Sequence, residues 1–98
     1  MANVIVSPAA RRDLIGIRDE PANPDAAVRI LKLLRTGIES LRDMPERGMP
    51  LDAVFSVHTD YRFLVCENYR IFYLCEGDQV EVVRVLHSLQ DYMRALFL

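Results

Sequence analysis

From Tyr61 to Leu86 the chain reads YRFLVCENYRIFYLCEGDQVEVVRVL, and few folds accommodate such a run. Its stretches of β-branched, aromatic and other apolar residues are separated only by Glu67-Asn68 and Glu76-Gly77-Asp78. Breaks that short leave room for hairpin turns and nothing else. The reading is therefore strands from Tyr61 to Cys66 or Glu67, from Tyr69 to Cys75, and from Gln79 to Leu86. An earlier alternating stretch, Ala53 to His58, precedes the polar turn His58-Thr59-Asp60 and reads as a further strand of the same meander.

The N-terminal half has a different period. Asn3 to Val6 is a short strand, followed by two helix starts of one design. Ser7-Pro8 and Asn23-Pro24 each place a side-chain cap before a proline at the first helical position. The first helix spans about Pro8 to Asp19, with Leu14 and Ile17 inward. The second spans about Pro24 to Asp43, where Ala27, Ile30, Leu31, Leu34, Ile38 and Leu41 form one buried stripe before Pro45 and Gly48 end it. A linker of Glu20-Pro21-Ala22 folds the helices into an antiparallel hairpin. The order β-α-α-β-β-β-β, with strands grouped apart from helices, predicts an α+β domain: a helical hairpin on one face of an antiparallel sheet.

Alternation along the strands assigns faces. With two-residue turns, Tyr61, Phe63, Val65, Arg70, Phe72, Leu74, Val83 and Val85 share one face, and Arg62, Leu64, Tyr69, Ile71, Tyr73, Val82, Arg84 and Leu86 share the other. Both faces are apolar, yet one helical hairpin covers only one. The second requires loops, a partner molecule, or the terminal Met93, Leu96, Phe97 and Leu98 folded back over it.

At 98 residues the chain is expected to form one domain, 1–98, able to bury roughly 60–65% of its unfolded surface. Net charge is −2, and eleven of the twelve basic residues are arginines. Residues 1–47 carry 8 basic and 7 acidic groups, and residues 48–98 carry 4 and 7. This balance argues against a broad phosphate-tracking surface but leaves room for a small arginine site. The start, MANVIVSPAARRD, lacks the pattern of a signal peptide, and no apolar run is long enough to span a membrane, so the expected location is the cytoplasm. Cys66 and Cys75 fall too far apart on adjacent strands to be bridged and read as free thiols; no ligand spacing points to a metal or other cofactor.

Several stretches, in this order, resemble the RelE/ParE superfamily of bacterial toxins from type II toxin–antitoxin modules. They are SPAARRDLIGI, the helix end Leu41-Arg42-Asp43-Met44-Pro45, the pair YRFLVCENYRIFY, and the ending VLHSLQDY. The resemblance implies a cognate antitoxin as partner, wrapped over apolar surface. It also implies one of two actions: metal-free mRNA cleavage on the ribosome, as in RelE-like members, or inhibition of DNA gyrase, as in ParE-like members. A non-toxic interaction module on the same fold is a third reading, because fold alone does not set function.

Metal-free RNA cleavage needs groups that deprotonate the 2′-OH, stabilise the phosphorane and protonate the 5′-oxygen. By resemblance, Arg70 matches the arginine of a GYR-type motif, Arg62 lies near a basic position on the preceding strand, and Tyr92 lies near a C-terminal tyrosine; His87 is a candidate acid or base. Leu89, however, stands where many RelE-like members carry a basic residue, and the preceding strand has no lysine. The ending Leu86 to Met93 is similar to the ParE type, and the reading leans to a ParE-like gyrase inhibitor. Arg84, Tyr69 and Tyr73 are the candidate antitoxin contacts. Each polar candidate also has an ordinary alternative: Arg70 paired with Glu67, Arg84 with Glu81, Arg62 with Asp60.

Overall fold

A computed structural model describes residues 1–20, 22–56, 58–88 and 92–97, with the Tyr92 side chain left out. Its elements are β1 (Asn3–Val6), α1 (Pro8–Arg18), α2 (Pro24–Ser40), β2 (Met49–Pro50), β3 (Arg62–Cys66), β4 (Tyr69–Glu76), β5 (Gln79–His87) and α3 (Tyr92–Phe97), with a short 3-10 turn at Leu51–Ala53. Both helix starts are built as their sequences require. Ser7 Oγ accepts the Ala10 N–H at 3.0 Å and Asn23 Oδ1 accepts the Ala26 N–H at 3.1 Å, satisfying amides that have no partner within the helix.

The five strands form one sheet in the order β1-β5-β4-β3-β2. The hairpins β3–β4 and β4–β5 close with Cys66 opposite Tyr69 and Glu76 opposite Gln79. Glu67 takes φ 53° and Gly77 φ 62°, the left-handed values that two-residue turns demand. The sheet is mixed rather than wholly antiparallel, because β1 lies parallel to β5 (Asn3 opposite Gln79, Val6 opposite Val82). A parallel partner needs a long crossover, which α1, α2 and the hairpins between β1 and β5 provide.

Of the strand expected over Ala53–His58, the described residues 53–56 and 58 form none, and Val57 lies outside the described residues. The sheet edge is instead the two-residue β2, and the chain then coils so that Phe55 N–H donates to Leu51 C=O at 3.0 Å. Leu51 is fully buried and Phe55 half-buried, so this apolar stretch serves as a plug rather than a strand.

The helical hairpin covers one face. Ala10, Ile30, Leu34 and Ile38 pack against Ile71, Tyr73, Val80, Val82 and Val85. On the other face Leu51, Phe63, Phe72 and Leu86 form a second core, against which Ala95 and Leu96 of α3 pack. Phe97 meets Tyr61 edge-on at 5.5 Å. The C-terminal segment therefore folds back over the second face, as one of the expected coverings had it.

Face assignment departs from simple alternation in β5. Tyr73 opposes Val82, but Phe72 opposes Arg84, so Val83 is an extra residue in a β-bulge. Beyond it the faces exchange: Val85 joins the helix-side core and Leu86 the second core, the reverse of the expected assignment.

Candidate functional site

Arg84 stands among Val82, Val83, Val85 and Leu86 on β5, and a lone guanidinium there would be costly unless paired. Its partner is Asp13 of α1, not Glu81. Nε and Nη2 of Arg84 donate to the two carboxylate oxygens at 2.8 and 2.9 Å, and the Val85 N–H donates to the same group at 2.9 Å. Hydrogen bonding to Asp13 raises the Arg84 pKa, against a smaller lowering by burial. The pair is largely enclosed, with side-chain exposures of 27% and 13%. A forked, three-bond carboxylate of this kind is well satisfied and leaves Arg84 engaged within the fold.

His87 ends β5 opposite Tyr69, and their rings meet edge-on at 5.2 Å. Both line a polar cleft of about 290 Å³ with Arg12, Asp13 and Glu20 of the α1 side. Arg70 projects from the opposite face, since its neighbours Tyr69 and Ile71 belong to the helix-side core. The Glu67 carboxylate takes Arg29 Nη1 at 2.6 and 2.8 Å. Arg62 lies at the far end of the hairpin, opposite Tyr73, about 13 Å along the strand from the Tyr69 end. Its Nη1 donates to the carbonyls of Glu46 (3.2 Å) and Gly48 (2.8 Å), not to Asp60.

The expected four-residue cluster is thus not assembled among the described side chains. Arg62 and Arg70 occupy different ends, and Arg70 and His87 different faces, where alternation had placed them together. Tyr92 opens α3, its side chain outside the described part, and Leu89 lies outside the described residues altogether. Of the candidate antitoxin contacts, Tyr69 is half-buried beside His87 and Arg84 is tied to Asp13. Tyr73 is fully buried, with Oη accepting the Gly48 N–H at 2.8 Å. Burial pushes the Tyr73 phenol up and likewise the thiols of Cys66 and Cys75, which are free cysteines. Among the described residues no group of side chains could hold a metal, and no helix is long and apolar enough to cross a membrane.

A feature missed by strand-based reading lies between α1 and α2. A groove of about 350 Å³ is lined by the apolar Val6, Leu14, Ile15 and Leu31, with Arg11, Arg18 and Arg35 also lining it. Ile15 is 40% exposed there, although it sits on a helix whose other apolar residues are turned inward. The spacing of Arg11, Ile15 and Arg18 along one helix face was the available signal.

The sequence matches the ParE toxin family of the type II toxin–antitoxin system parDE over residues 4–92. No curated protein matches it. Among solved structures, the chain superimposes on a chain of the chromosomal ParDE toxin–antitoxin system from P. aeruginosa with a TM-score of 0.72, covering 89% of this chain and 96% of that one at 17% identity. A family match across nearly the whole chain, on a fold that agrees, places this protein in the ParE family of type II toxins.

Proposed function

We propose that residues 1–98 form a single toxin domain that arrests growth in the cytoplasm by inhibiting DNA gyrase, and that a cognate antitoxin neutralises it. Membership of the type II toxin family is the starting point. The choice of gyrase over mRNA rests on one observation: Arg62, Arg70 and His87 are divided between two ends and two faces of the sheet. Metal-free phosphodiester cleavage needs its base, acid and charge-stabilising groups around one phosphate, within hydrogen-bond reach. Residues divided in this way suit a surface that binds a protein target. The acidic net charge of −2 supports the same reading.

The antitoxin is assigned to the groove between α1 and α2. The exposed Ile15 and half-buried Val6, Leu14 and Leu31, edged by Arg11, Arg18 and Arg35 with the single acid Glu39 among them, fit an amphipathic segment carrying acidic residues. Arg70 and His87 remain the proposed target-facing residues. The test is a pair of assays on purified toxin: gyrase supercoiling and cell-free translation. Inhibition of supercoiling with translation intact is the expected result; the reverse would establish the ribosome-directed alternative.

A further inference from the structure

β1 ends at Val6, opposite Val82, and beyond that point no strand among the described residues lies beside the outer edge of β5. Groups at the start of α1 take over. Ser7 N–H donates to Val82 C=O at 2.9 Å, Ser7 Oγ donates to Val83 C=O at 2.9 Å, and Asp13 accepts the Val85 N–H together with both Arg84 donors. The bulge at Val83-Arg84 lies within this grip.

A second register is open to the strand. Had pairing continued from Tyr73–Val82 without a bulge, Val83 would face Phe72, Arg84 would face Ile71, Val85 would face Arg70 and Leu86 would face Tyr69. The stretch Val82-Val83-Arg84-Val85-Leu86 is apolar at both parities, so burial pattern, the usual determinant of register, does not choose between them. Two polar groups do. In the regular register Arg84 would stand opposite the fully buried Ile71, where Val85 now lines the Asp13 cleft, and the Val85 N–H would turn toward β4, out of reach of Asp13. The bulged register gives Asp13 the Val85 N–H and both Arg84 donors together.

We infer that Ser7, Asp13 and Arg84 are positioning residues that select the bulged register of β5, and that this selection keeps His87 on the helix side and Arg70 on the other. A regular strand would bring His87 onto the face of Arg70. The consequence for toxicity rests on the site proposed above; the register itself does not.

The test compares three isotopically labelled proteins by cross-strand nuclear Overhauser contacts and thermal melting: the parent, Asp13→Ala, and Asp13→Ala/Arg84→Val. The parent should show contacts of Ile71 with Val85 and of Arg70 with Leu86. Asp13→Ala should melt earlier and exchange its Val85 amide at least about tenfold faster. The double variant should melt later than Asp13→Ala, because an apolar residue at position 84 fits the regular register, and its contacts should move to Ile71 with position 84 and Arg70 with Val85. A double variant that fails to fold, melts below Asp13→Ala, or keeps the Ile71–Val85 contact would overturn the inference. If its register changes while growth arrest is undiminished, the target-facing assignment of Arg70 and His87 fails and the register selector stands.

Discussion

Gly48 and Gly16 should respond to the same substitution with opposite signs. Gly48 is buried between the end of α2 and β3, its N–H on Tyr73 Oη and its carbonyl on Arg62. A Cβ there would stand 2.5 Å from Tyr73 Oη, 2.8 Å from Tyr73 Cε1 and 2.8 Å from the Phe63 carbonyl oxygen. Tyr73 is fully buried and the Phe63 carbonyl belongs to strand backbone, so neither yields easily. Overpacking of this kind costs about 1–3 kcal/mol. Displacing the tyrosine also breaks a buried hydrogen bond, a further 1–3 kcal/mol or so. A stiffer unfolded chain returns roughly 0.4–1 kcal/mol. The net for Gly48→Ala is about 1–5.5 kcal/mol, each kcal/mol lowering the melting temperature by roughly 4–8 °C for a domain of this size. Gly16 lies exposed within α1, with nothing within 4 Å of an added Cβ. Gly16→Ala should therefore stabilise by up to ~1 kcal/mol, the helix-propensity difference alone. Thermal and urea melts of both variants decide it. Equal melting temperatures for Gly48→Ala and the parent would refute the close-approach reasoning; a loss at Gly16 would refute the reading of open space.

Leu86 is 1% exposed, and Leu86→Ala should cost about 2–5 kcal/mol. If the strand end faces the target, Arg70→Ala and His87→Ala should instead reduce growth arrest while melting close to the parent; early melting with full toxicity in the folded fraction would sink that assignment. Charge reversal at Arg11 or Arg35 should weaken antitoxin binding about tenfold or more, mainly through the association rate, while leaving growth arrest intact, as titration calorimetry and stopped-flow mixing would show. The thiols of Cys66 and Cys75 and the phenol of Tyr73 are all raised by burial from ordinary values of 9.0 and 10.0. Folding holds these protons more tightly than the open chain does. The stability they contribute is complete below about pH 9 and declines as pH rises through the raised folded values. Urea melts between pH 7 and pH 11 should show the midpoint falling only on the alkaline side.

The helical hairpin, its caps and the two tight turns were legible because each depends on a few adjacent residues: Ser7-Pro8, Asn23-Pro24, Glu67-Asn68, Gly77-Asp78. The plug at Leu51–Ala53 was not, since Ala53-Val54-Phe55 alternates like a strand and only the buried space beneath Leu51 makes it coil. The parallel pairing of β1 was hidden for a similar reason, as nothing local to Asn3–Val6 names its neighbour. The bulge had a clue that went unused. Asp13 shares a helix face with Ala10 and Ile17, and a carboxylate on an inward stripe needs a cation; Arg84, the one cation of an apolar strand, needs an anion. Matching those two demands links α1 to β5 directly. Two-residue turns and strict alternation, without that link, placed Arg70 and His87 on one face.

The pairing of β1 with β5 also governs when the molecule becomes whole. β1 finds its place only beside β5, and Ser7 bonds to a residue 76 positions later. Ala95 and Leu96 of α3 then close the second core. Contacts this distant along the chain form late. A domain of this topology therefore completes neither core until β5 and α3 are in place, and a fragment lacking them would leave the apolar faces of β3 and β4 open.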